Sequence, residues 1–215
     1  GDFNDATYSF QGVQTRFFRR DDKFFIRTDG PDGKLADFEV KYTFGIAPLQ
    51  QYLVELPGGR LQAVAVTWDA RPREEGGQRW FRQYPTEQLD HTDELHWTGR
   101  SQNWNFMCAD CHSTEVSKGY EAATDSFKTT YAEISVGCEA CHGPGSAHIE
   151  WAGRKGAEAG KGLTVQLDER RGVTWGRDAG TGRPVRNRPR ATEREIEVCA
   201  QCHARRGQFS NAYHA

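Results

Sequence analysis

Six cysteines fall into three pentapeptides of one form. They read Cys108-Ala-Asp-Cys111-His112, Cys138-Glu-Ala-Cys141-His142 and Cys199-Ala-Gln-Cys202-His203, and no cysteine lies outside them. Residues i and i+3 share one face of a helical turn. Two sulfurs so placed can add to the vinyl groups along one porphyrin edge, while the next residue swings an imidazole over the iron. This is the attachment chemistry of c-type haem. It makes Cys108, Cys111, Cys138, Cys141, Cys199 and Cys202 the thioether donors, and His112, His142 and His203 the proximal iron ligands. The expected cofactors are three c-type haems with their irons.

Other cysteine chemistries fit less well. Zinc uses Cys-x-x-Cys pairs with histidine, but a fourth ligand would be needed in three separate places. Zinc also needs no histidine directly after the second cysteine. A thioredoxin-like redox pair requires a βαβ context, which the sequence lacks. Disulfides between i and i+3 would leave the three histidines unexplained.

The second axial ligand decides whether a haem carries electrons or binds a substrate. Four histidines remain: His91, His96, His148 and His214. His148 follows the second motif through Gly143-Pro144-Gly145, which forces a turn, so it is expected to ligate a neighbouring haem. His96, in Leu95-His96-Trp97-Thr98-Gly99, has the apolar flanks that suit a rigidly held ligand; a half-buried histidine on a carbonyl is the alternative. His91, among acids, reads as a surface residue, and His214 stands one residue from the end of the sequence. Either is the expected third distal ligand. Met107, next to Cys108, points poorly at its own iron and is expected in the core.

The elements that must hold these groups change along the chain. Residues 1–70 contain no cysteine. Phe38, Val40, Tyr42 and Phe44 alternate with polar residues, the period of a half-buried strand. Lys23 to Thr28 is its hairpin partner across Gly30-Pro31-Asp32-Gly33. Tyr52 to Leu56 and Leu61 to Trp68 flank Pro57-Gly58-Gly59. This predicts an antiparallel β meander of four or five strands. Residues 71–103 read as a polar connecting segment. Residues 104–215 read as a multihaem region of short helices and long loops, with a capping box at Thr192-Glu193-Arg194-Glu195, a C-cap at Gly207 and a loop over roughly 153–190 that wraps a haem face. The fold class expected is α+β.

With 36% hydrophobic residues, the chain of 215 residues is poor in core material. Three macrocycles would supply what is missing, and without haem the C-terminal half is not expected to fold. No apolar run is long enough to span a membrane. The first residues do not read as a signal peptide, yet c-type haem is attached outside the cytoplasmic membrane. A mature form or a piece of a longer chain, periplasmic or extracellular in a bacterium, is expected. Between residues 170 and 206 ten arginines face four acids. The run lacks the aromatic interleaving of a nucleic-acid surface. It reads as solvated loop with one or two arginines on haem propionates.

The stretch from Leu95 to Ala152 resembles a family of bacterial multihaem cytochromes c. The phrases are Leu-His-Trp-Thr-Gly-Arg at 95–100, Asn-Trp-Asn-Phe-Met-Cys at 103–108, and Gly-Cys-Glu-Ala-Cys-His-Gly-Pro-Gly-Ser at 137–146. Residues 199–208 and the opening Gly-Asp-Phe-Asn-Asp-Ala-Thr are similar too. The Cys-His-Gly-Pro-Gly element with its trailing histidine is similar to the cytochrome c554 group. That resemblance implies bis-histidine haems close enough for electron hopping. Such proteins usually carry a further haem motif and distal histidine upstream, and often tetratricopeptide repeats downstream. Without the upstream ligand, one haem is left five-coordinate or is completed by another chain.

The function expected is electron transfer by a trihaem cytochrome, rather than catalysis. Its partners would be redox proteins or further copies of itself, in a homo-oligomer or filament that shares a haem ligand. The rival is a multihaem oxidoreductase with one open haem acting on a small nitrogen or sulfur compound.

Overall fold

A computed structural model describes residues 1–154, 160–204 and 207. Eight strands form one antiparallel sheet: β1 (Ala6–Phe10), β2 (Val13–Arg20), β3 (Lys23–Asp29), β4 (Leu35–Phe44), β5 (Leu49–Leu56), β6 (Arg60–Ala63), β7 (Val66–Asp69) and β8 (Arg79–Arg82). Their order is β1-β2-β3-β4-β5-β7-β8, with β6 also paired to β5. The sheet curls into a nearly closed barrel, as its aromatic packing requires. Phe17 of β2 stacks on Trp80 of β8, with ring centroids 3.6 Å apart. Phe3, Tyr52 and Trp68 close around the same indole. Ile26, Val54 and Val64 complete the buried cluster. Alternating side chains put these residues on the inner face.

The hairpin of β3 and β4 forms where the alternation predicts it, with Asp29 paired to Leu35 across the turn. Three strands were not legible: β1, β2 and β8. β1 and β2 are joined by Gln11-Gly12, and β2 and β3 by Asp21-Asp22. Gln11, Gly12 and Asp21 all have positive φ. Such two-residue turns match the twist of the flanking strands, but Gln-Gly and Asp-Asp are weak sequence signals for them. β8 falls within residues 71–103, read from sequence as a connection.

Beyond the sheet, the helices are short: α1 (Trp104–Met107), α2 (Ala109–His112), α3 (Glu139–His142), α4 (Ser146–Gly153) and α5 (Arg194–His203). Two small hairpins accompany them, β9 (Tyr120–Glu121) with β10 (Ser126–Phe127) and β11 (Trp175–Arg177) with β12 (Pro184–Arg186). The expected α+β molecule with a haem-packed helical region is therefore corrected to a predominantly antiparallel β protein. The physical reason lies in the apolar residues. Past residue 110, the buried aliphatic side chains among the described residues are Val116, Val165 and Val198, too few to pack helices on one another.

The stretch 153–190, read as loop, contains the β11–β12 hairpin. The capping box is displaced as well. Thr192 Oγ1 accepts from the Arg194 amide at 3.2 Å, and α5 ends at Ala204 rather than at Gly207. Met107 is 53% exposed, not packed in the core. The chain divides into two compact units, residues 1–109 with 118–129, and 110–117 with 130–215.

Candidate metal centre

Each pentapeptide lies on a helical turn, the geometry that brings both sulfurs to one side. Ahead of the first motif, Asn103 caps α1 by accepting the Phe106 amide at 2.9 Å. Its neighbour Asn105, 1% exposed, accepts the Leu61 amide at 2.7 Å and donates to the Gly59 carbonyl and Thr129 Oγ1. Buried Gln62 of β6 donates to the carbonyls of Trp97 and Gly99 and accepts from Asn103. These amides clamp the chain to the sheet just before Cys108. Sequence reasoning missed them; the one legible signal was an asparagine ahead of a helical turn.

The segment after Cys111 ties the motifs together. Thr114 pairs in antiparallel fashion with Glu133. Its buried hydroxyl donates to the Ser135 carbonyl at 2.8 Å and accepts the Gly137 amide at 2.8 Å, the residue before Cys138. On the other side, Cys111 Sγ lies 3.9 Å from the Gln201 carbonyl, and Cys202 Sγ lies 3.9 Å from the Cys111 carbonyl. The first and third motifs thus abut sulfur to backbone.

At the second motif α3 ends on His142, and Gly143 turns the chain at φ +69°. No L side chain adopts that conformation cheaply. His142 Nδ1 sits 2.9 Å from the Val165 carbonyl, whose own amide donates to the His142 carbonyl. A carbonyl can only accept, so Nδ1 carries a proton, and in the neutral ring Nε2 is the nitrogen with the lone pair. Metal-binding imidazoles are oriented in this way. His148, in the first turn of α4, repeats the arrangement. Its Nδ1 lies 2.7 Å from the Lys161 carbonyl, and its ring stacks on Trp151 at 5.4 Å. The two backbone acceptors had no sequence signal, because any residue supplies a carbonyl.

His96 is placed differently. It is 1% exposed, with Nε2 3.0 Å from Asp29 Oδ2 and Nδ1 2.8 Å from Thr98 Oγ1. Burial pushes the Asp29 carboxyl up, but the hydrogen bond and charge of His96 outweigh this and hold it below the usual range. Trp97 Nε1 donates to the Asp29 carbonyl beside it. His91 is exposed, near Gly33. His112 lies on α2 and His203, exposed, closes α5. His214 lies outside the described residues.

The donor set fits covalent haem. All six thiols are free of disulfides and half-exposed or exposed. Among the described residues, no three His, Cys, Asp or Glu side chains converge on one point as a zinc site would need. Cys108 and Cys111, Cys138 and Cys141, and Cys199 and Cys202 can therefore each hold one macrocycle edge. The arginine run is no bare cationic face: Arg170, Arg186, Arg190 and Arg194 pair with Glu195, Glu169, Glu193 and Glu197. No helix among the described residues is long and apolar enough to cross a membrane.

No curated protein and no solved structure matches the chain. Residues 67–143, which hold the first two motifs with Asn103 and Asn105, match the family model described as cytochrome c554 and c-prime. That match over residues 67–143, together with the free Cys-x-x-Cys-His thiols, supports a c-type cytochrome of the bacterial kind.

Proposed function

We propose that the chain is a trihaem electron carrier. Cys108 and Cys111, Cys138 and Cys141, and Cys199 and Cys202 would hold the macrocycles, and His112, His142 and His203 would ligate the irons. When bound, haem supplies the one-electron redox chemistry. The protein sets ligand orientation, burial and spacing. The observation that carries this reading is the meeting of the first and third motifs at Cys111, Gln201 and Cys202. Two macrocycles anchored there would start from adjoining backbone, an arrangement that favours the short separations electron hopping needs. The Thr114 link brings the second motif's anchor to the same segment. Partners are then redox proteins or further copies of the chain, and the compartment is the periplasm or the exterior.

His148 is the favoured distal ligand, because its Nδ1 is fixed on a backbone carbonyl as that of His142 is. A second reading gains from His96. Its two ring nitrogens hold Asp29 and Thr98, so ligation would require giving up a buried hydrogen bond. An iron without it is completed by His91, by His214, by another chain, or stays open to a small nitrogen or sulfur compound. Intact mass after acid–acetone extraction, with EPR of the oxidised protein, separates these readings. Three retained haem masses with low-spin signals are expected. Extractable haem would overturn covalent attachment, and a stable high-spin iron that binds nitrite or hydroxylamine would favour the enzyme.

A further inference from the structure

Beside the third motif lies a cavity of about 250 Å³, walled by Glu169, Arg170, Trp175, Arg186, Ile196 and Cys199. Its chemistry is unequal. Arg170 is engaged by Glu195, and Arg190 at the rim by Glu193. Arg186 is only partly engaged. Its side chain is 11% exposed, and Nη2 donates to both oxygens of Glu169 at 2.8 and 2.9 Å. Nε and Nη1 are buried and find no acceptor among the described residues. Glu169 has little left to offer, since it also accepts the Ala191 amide at 3.1 Å. A guanidinium cannot relieve this by losing its proton. Its planar fork is shaped for a second carboxylate.

The neighbouring residues say what kind of carboxylate would come. Trp175 pairs with Arg186 across the β11–β12 hairpin, and the guanidinium lies 5.8 Å from its ring. The indole is 58% exposed, a large apolar face left to solvent on the wall that also carries Cys199. A ligand tethered at Cys199 that is flat, apolar and edged with carboxylates satisfies all three residues at once. We propose that Arg186 holds a propionate of the haem attached at Cys199 and Cys202, with Trp175 packed on the same macrocycle.

This rests on the trihaem reading and adds a positioning residue to it. Ferric haem carries one more positive charge than ferrous haem. A buried cation nearby therefore disfavours the oxidised form and raises the potential, and a buried anion does the reverse. Holoprotein carrying Arg186→Gln or Glu169→Gln is compared with wild type by spectroelectrochemistry, with intact mass as the haem count. Arg186→Gln should shift one of three one-electron steps downward by about tenfold in its equilibrium constant, ~59 mV. Glu169→Gln keeps one acceptor oxygen for Arg186 while removing the negative charge, and should shift the same step upward. Arg188→Gln, an exposed arginine that caps the Glu169 and Arg171 carbonyls, should shift none. Equal or same-sign shifts in the two Gln variants, with three haems retained, would overturn the role for Arg186. A wild-type mass with no haem at the third motif would instead refute the trihaem reading.

Discussion

An imidazole binds iron predictably only when its other nitrogen is held. His142 and His148 share that property through the carbonyls of Val165 and Lys161, and the sequence showed only half of it. The Cys-His step and the Gly143-Pro144-Gly145 turn were legible, because local geometry fixes them. The acceptors were not, because they come from backbone 13 to 23 residues away. His96 illustrates the converse. Its apolar flanks suggested a ligand, and they also suit a buried strut between Asp29 and Thr98. We expect His148→Ala to convert one low-spin iron to high spin in the EPR spectrum while the three haem masses remain. An unchanged spectrum would remove His148 from the ligand set.

At the level of elements, the sheet carries its own pH dependence. Asp69 at the end of β7 is 2% exposed, and its hydrogen bonds from Arg71 lower its pKa to about 2. A carboxyl depressed in the fold contributes stability that is fully present above its unfolded value, ~3.9. That contribution is lost as the pH falls from there through about 2. Asp29, also lowered, acts in the same direction. We therefore expect the thermal midpoint of the holoprotein to fall as pH drops below 4, and Asp69→Asn to flatten the fall. An equally steep fall in that variant would assign the effect elsewhere. The strands themselves were readable where apolar residues alternate over a long run, as in β4. They were lost where a strand is four residues long, as in β8, or where the turn residue is Gln11.

For the whole molecule, three cysteine pairs outnumber the distal histidines held in a ligand's orientation. Among the described residues His148 is so held, His96 is engaged in the sheet and His91 is exposed. Sixth ligands drawn from another copy of the chain would tie coordination to assembly. Diluting the oxidised holoprotein is then expected to increase its high-spin EPR signal, whereas a spectrum constant with dilution would keep every ligand within one chain. The architecture was half legible. The early strands announce themselves by alternation, and the motifs by spacing. What the sequence suggested as a haem-packed helical region holds three helices of a single turn and two longer ones, α4 and α5, because one turn suffices to place i and i+3.

The path of the backbone has a consequence for engineering and for descent. Residues 110–117 belong to one compact unit and residues 118–129 return to the other. No single cut in the chain, and no single recombination point, releases either unit whole. The unit with the second and third motifs is thus not a cassette that one cut at a linker can excise, transplant or shuffle, and Cys108 of the first motif is left with the sheet.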